Sequence, residues 1–494
     1  MDFSCIVLFL AMYYLKPQEW TSAFESIRFV QLTMLASITT LIFRERSLKL
    51  DDFFRTPHDW AMFAFFVWIV VASPTPVDTF KEMSNRLVFY VVVIHTLTNW
   101  LRLRKFLGWW TAFIVIIAAL ALMGEFKMFD PLGSYDLTHG RMKERLVLNL
   151  SMVNNPNALG HTLVPVIPML YYFCIWKRPL FMKQIGCVAL ILPLYALFLT
   201  LSKGGYLAAV VATMATLTFG RPKTVQIIIG ITFVAVASSA IYLLPRMTEL
   251  NKAQADEAIQ GRIQSSIHGQ EYYHSLPYGV GQGNFVKVQF EQHNFKKAAH
   301  STFVQTGAEL GKTGMFLFLL ILWCCIRTLM FAKTQTPEQE RVRRLLFVLV
   351  ISFVVSGWMV DFAYRATFFM FVAAIGAFHR HLHGLMEIKP DAEPVKSKSL
   401  SPAWSARMLP IPSVAGVPAA VAMQIEAAPE VVLSPKLASR PMPWLGRSPE
   451  PAPEQAAAKP KFWNRLTLMD VVVTLVLLEL TGRFWIYTIE QFGG

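Results

Sequence analysis

Residues 300–331 read HSTFVQTGAELGKTGMFLFLLILWCCIRTLMF. The start is polar, and the apolar run that follows is continuous rather than alternating. A bilayer-spanning helix needs about 20 such residues, whereas a barrel strand would alternate. Upstream lies the one extended polar loop of the first part of the chain, 245–301. It carries Gly261-Arg262-Ile263, then Pro277-Tyr278-Gly279-Val280-Gly281-Gln282-Gly283-Asn284-Phe285, then His300-Ser301-Thr302. Polar loop followed by apolar run sets both the fold class and the place to look for chemistry.

The same apolar pattern recurs along the 494 residues, which are 54% hydrophobic and 16% charged, with a mean hydropathy of +0.43. No soluble core hides that much apolar surface. In lipid every backbone amide must be satisfied internally, so continuous apolar runs become helices. Spans are expected at roughly 3–17, 27–43, 58–73, 86–100, 106–123, 156–176, 184–201, 204–219, 224–244, 302–331, 343–360 and 366–382. The expectation is an all-α polytopic membrane protein of about twelve transmembrane helices in residues 1–382, with one large periplasmic loop.

The formal charge of +14 does not point to nucleic acid, because the basic residues cluster in short loops. Arg44/Arg46/Lys49/Arg55, Arg102/Arg104/Lys105, Lys177/Arg178/Lys183, Arg221/Lys223 and Lys333/Arg341/Arg343/Arg344 alternate onto one side, which is then cytoplasmic. Loops 124–155 and 245–301 face outward. The five cysteines sit in or at the ends of apolar segments, so neither a disulfide framework nor a metal site is expected. The N-terminus reads as a retained helix rather than a cleaved signal. Residues 383–465 are rich in Pro, Ala and Ser without apolar periodicity, and read as a disordered cytoplasmic tail. A final hydrophobic helix is expected over 466–491, with Glu479 and Arg483 spaced to pair on one face.

Several residues could carry chemistry. His300 precedes a helix start, and Thr302 with Gln305 reads as a capping box. It suits a general base, or else an interfacial histidine that holds the loop. Arg262 offers a planar fork for phosphate oxygens, or snorkels to the headgroups. Gly279, Gly281 and Gly283 suit a tight turn in which positive φ is needed. Lys203, in Ser202-Lys203-Gly204-Gly205, lies at the outward end of its run, where it can reach water or a phosphate. Asn155 with Pro156 reads as an N-cap followed by a first helical residue. Arg141 and Arg145 are further phosphate candidates, and Asp361 could pair with Arg365 or touch substrate.

The motif order runs Asn155-Pro156-Asn157, Ser202-Lys203-Gly204, Gly261-Arg262, the Pro277–Phe285 glycine turn, and His300-Ser301 with Gln305, Glu309-Leu310-Gly311 and Gly314. It resembles the bacterial O-antigen ligase and O-antigen polymerase superfamily over residues 1–382. The resemblance implies a metal-independent, inverting, membrane-embedded glycosyltransferase without cofactor, in the bacterial inner membrane with its site on the periplasmic side. It implies transfer from an undecaprenyl-diphosphate-linked glycan donor to a glycan or lipid A core acceptor. Arg262 would match the family's loop arginine and His300 its histidine, with Lys203, Arg141 and Arg145 at the diphosphate. Asn155, Asn157, the three glycines, Gln305, Glu309 and Asp361 would support them. Lys203 stands where the family has arginine, and Ser301 where it has asparagine. The tail and the last hydrophobic segment have no counterpart in that pattern; a scaffold recruited through the tail to an envelope-assembly partner is a separate reading. Polymerisation of lipid-linked repeat units is the alternative within the superfamily. A transporter or flippase is the alternative outside it, disfavoured because the charges gather at the outer surface rather than mid-membrane.

Overall fold

The computed structural model describes residues 2–20, 22–44, 53–129, 132, 135–136, 145–232, 257–384 and 465–492. Most of these residues are helical: α1 Asp2–Leu15, α2 Phe29–Arg44, α3 Pro57–Val71, α4 Pro76–Thr96 and α5 Trp100–Glu125. Next come α6 Pro156–Ile175, α7 Leu180–Leu199, α8 Lys203–Thr218 and the short α9 Lys223–Thr232. Then follow α10 Glu257–Ser275, α11 Phe285–His293, α12 Thr302–Phe331, α13 Pro337–Gly357, α14 Ala366–Leu382 and α15 Leu468–Phe492. Among the described residues, strands are confined to the antiparallel pair β1 Tyr135–Asp136 and β2 Arg145–Leu146. The Pro/Ala-rich tail falls outside the described residues, as do Arg141 and the loop before Glu257.

Among the described residues four helices, α5, α6, α7 and α12, are long and apolar enough to cross a membrane; α2, α3, α9 and α14 contain shorter apolar segments. The helix starts follow from local chemistry. Asn155 caps α6 by accepting from the Asn157 N–H at 2.8 Å, with Pro156 at the first position, as expected from sequence. Thr56 with Asp59, and Thr336 with Gln339, close capping boxes on α3 and α13.

α12 lies at the centre, packed against α3, α10, α13, α14 and α15. The polar stretch before it is not plain loop, since it holds α10 and α11. The signal for α10 was present: Ile259, Ile263 and Ile267 recur every four residues. The C-terminal α15 is clamped at both ends. Near its start Asp470 pairs with Arg327 of α12 and accepts from Trp323 Nε1 at 2.9 Å. Near its other end Trp485, 1% exposed, donates to Ser266 Oγ of α10 at 2.7 Å. Its ring fills a slot that side chains at Gly269 and Gly307 would close. Glu479 and Arg483 pair at 2.8 Å, as their spacing predicted, on an exposed face.

Candidate functional site

The start of α12 organises the site. Its N-cap is Ser301, whose hydroxyl accepts from the Val304 N–H, so the capping box expected from Thr302 and Gln305 does not form. Thr302 is drawn away by a better use of its hydroxyl. Oγ1 donates to the Val360 carbonyl at 2.7 Å and accepts from the Phe362 N–H at 2.8 Å. That clip fixes Asp361 between two tethered neighbours and brings its Oδ2 to 3.8 Å from His300 Nδ1. His300 adopts a left-handed φ of 49°, a conformation uncommon outside glycine, directly ahead of the helix start.

The two partners are pushed toward each other's proton range. Burial lowers the His300 pKa to about 4, helped by the positive charges of Arg262 and Lys297. Burial raises Asp361 to about 6, against the Ser301 backbone N–H, Arg365 and Arg262, which favour the carboxylate. At neutral pH the pair is therefore a neutral imidazole beside a carboxylate. At 3.8 Å the contact is electrostatic rather than a hydrogen bond, with Asp361 facing Nδ1 and Nε2 left as a base. The expected side-chain pairing of Arg365 with Asp361 takes a different form. Arg365 Nε donates to the Asp361 carbonyl at 3.2 Å, and Nη1 to that of Met152 at 3.0 Å.

The glycine turn and Glu309-Leu310-Gly311 prove to be two halves of one lock. Gly311 breaks α12 with φ 65° and ψ −167°, which frees the preceding carbonyls from their helical donors. Val280 N–H takes Ala308 O at 3.0 Å, Gly281 N–H takes Glu309 O at 2.8 Å, and Trp68 Nε1 takes Leu310 O at 2.9 Å. A Cβ on Gly279 would run into the Glu309 backbone and one on Gly281 into the Pro74 ring. Gly283 has open space and needs glycine only for its φ of 76°. The Glu309 carboxyl, 2% exposed, is surrounded by the Gly283 amide, Gln305 and Tyr364.

Arg262 lies on α10, and its charge reaches His300, Asp361 and also His161 of α6. Lys203 is the first residue of α8, behind the Ser202 cap, with its Nζ buried. A Cβ on the next residue, Gly204, would stand 3.2 Å from Cβ of Met359, so the α8 N-terminus abuts the loop that carries Asp361. Arg145 is engaged in holding elements together. Its Nε donates to Thr200 O at 3.0 Å and Nη2 to Asn157 Oδ1 at 3.1 Å, and the latter also accepts from Ser202 Oγ at 2.8 Å. Asn155 acts as the α6 cap. His161 was not singled out from the sequence, because a lone histidine within an apolar helical run carries no pattern of its own.

The arrangement offers a base with an orienting carboxylate, a guanidinium within electrostatic reach of both, and a helix N-terminus bearing a lysine. Such a set can accept a proton on one side and hold an anion on the other. Residues 188–319 match the family model for O-Antigen ligase. The match bears out the resemblance to the O-antigen ligase and polymerase superfamily drawn from the motif order. The matched segment contains Lys203, Arg262, the three glycines, His300, Gln305 and Glu309, and ends before Asp361. No curated protein matches the chain.

Proposed function

We propose, from the O-Antigen ligase match over the central segment, that the chain transfers a glycan from an undecaprenyl-diphosphate carrier to an acceptor hydroxyl at the periplasmic face of the inner membrane. The observation that carries this reading is the pairing of His300, inside the matched region, with Asp361 beyond its end, at 3.8 Å under the charge of Arg262. The acceptor oxygen bonds to the anomeric carbon as its proton passes to His300 Nε2. The bond from that carbon to the phosphate oxygen breaks on the opposite face, with inversion, and its electron pair leaves on the diphosphate. Arg262 and Lys203 stabilise that charge as it appears. Asp361 holds the imidazole and stabilises the imidazolium that forms.

The twelve-span topology with the polar loop outside is part of the same proposal. It is supported by the basic junctions meeting at one end. Arg178 pairs with Glu338 at 3.3 Å, Arg341 donates to the Trp176 carbonyl, and Arg344 donates to those of Phe219 and Gly220. α12 separates that end from His300. The motif order favours ligation over polymerisation.

The test is transfer by purified protein in proteoliposomes, with a lipid-linked oligosaccharide donor and a choice of acceptors. His300→Ala and Arg262→Ala are each expected to lower the rate by about 10²-fold or more while leaving the protein inserted. Glycan moved to lipid A core indicates ligation, and chain growth on the carrier indicates polymerisation. Normal rates in both variants would refute the site.

A further inference from the structure

His161 sits on α6, outside the set recognised from sequence, and the structure leaves half of it unexplained. It is 2% exposed. Its Nδ1 lies 3.0 Å from Ser356 Oγ of α13, while its Nε2 is buried without a hydrogen-bond partner. That nitrogen stands 3.0 Å from the point where a Cβ on Gly204 would be, at the second position of α8. The ring edge therefore meets a helix N-terminus across a residue that has no side chain to intervene.

The surroundings decide what would satisfy it. Ser202 Oγ takes the Gly205 N–H at 3.1 Å. The first-turn amides before Gly205 have no intrahelical acceptor. Lys203 follows the cap directly, and the Arg262 charge reaches the ring. Amides, ammonium and guanidinium are all donors, so the group that fits among them is an acceptor with several lone pairs and negative charge. The Nδ1–Ser356 contact is open to either direction. Donation from Ser356 Oγ–H to Nδ1 would put the ring proton on Nε2 and make the imidazole one more donor, which is the tautomer an anion beside Nε2 selects.

We propose that His161 binds the donor's diphosphate through Nε2–H, together with the α8 amides and Lys203, and so helps to hold the leaving group. The proposal rests on the glycan-transfer reading above. His161 keeps its proton throughout. As the bond between anomeric carbon and phosphate oxygen breaks, the electron pair passes to that oxygen and the existing N–H···O contact strengthens. His300 accepts the acceptor's proton, so the two histidines divide the reaction between leaving group and nucleophile.

The experiment compares His161→Phe, His161→Gln, Ser356→Ala and His300→Ala in proteoliposomes. It measures transfer rates, thermal melting and the direct binding of geranylgeranyl diphosphate, a soluble-chain probe for the diphosphate. His161→Phe is expected to lower kcat by about 10²-fold and to weaken probe binding by about 10-fold. His161→Gln retains an N–H of similar reach and should recover most of both. Ser356→Ala frees the tautomer without changing ring volume and should weaken the probe by about threefold with unchanged melting. His300→Ala should stop transfer yet bind the probe as the parent does. Unchanged probe binding in both His161→Phe and Ser356→Ala, with His300→Ala inactive, would overturn the role of His161 alone. Normal transfer in His300→Ala would remove the underlying reaction.

Discussion

Asp361→Asn tests the His300 pair most directly, because its effect should depend on pH in a way that a packing defect cannot imitate. Two unit charges 3.8 Å apart attract by about 4 kcal/mol at an effective dielectric of 20. Both side chains are partly open to solvent, at 39% and 25%, so screening reduces this to about 2 kcal/mol. A carboxylate that stabilises the imidazolium by that amount raises kcat by about 30-fold. Asp361 titrates at about 6 and His300 at about 4. A group with a raised acid pKa loses its charge as pH falls through that value, so the parent enzyme loses the carboxylate's help below pH 6. His300 itself remains a competent base down to about pH 4. The ratio of parent to Asp361→Asn rates should therefore be about 30 above pH 7 and fall to about 4 at pH 5. Initial rates of glycan transfer between pH 4.5 and 8 measure it. A ratio that stays constant across that range would refute the argument and leave Asp361 with a structural role only.

Two further substitutions test the scaffold. Gly279→Ala must relieve both a positive φ and a collision with the Glu309 backbone, so it should cost about 2–4 kcal/mol and disturb the kink. Gly283→Ala, which meets only open space, should cost about 1 kcal/mol; equal melting losses would contradict the lock between turn and kink. Trp485→Ala empties the slot that joins α15 to α10 and α12. It should cost about 3–5 kcal/mol and lower activity by loosening the helix that carries Arg262; a parent-like melting temperature would show that α15 is a passive neighbour.

The helical membrane character, the start of α6 and the extents of α12 and α14 were legible from the chain, because composition, capping residues and apolar run length act locally. The tight turn at Gly279, Gly281 and Gly283 was legible for the same reason, since positive φ is a property of single residues. Its partner was not. Nothing in the spacing of Pro277–Phe285 says that its amides will satisfy carbonyls released at Gly311, because that match exists only once two segments meet. The Thr302 capping box failed for a related cause: a local partner, Gln305, lost to Val360 and Phe362, more than fifty residues away. Arg145 was legible as a cation, but its use in tying Thr200 to Asn157 was not.

The sequence by itself determined that this chain is helical, apolar enough for a bilayer, and furnished with His300 and Lys203 near helix starts and with Arg262 in the polar stretch between apolar runs. Only the tertiary structure decided that Asp361 stands beside His300, that Arg262 bears on both, and that His161 turns a bare nitrogen toward the α8 N-terminus. Helix formation follows from hydrogen bonds four residues apart and from the solvent each face must meet. A site depends on charges and hydroxyls brought within a few ångströms across hundreds of residues, and that distance is set by packing rather than by any pattern along the chain.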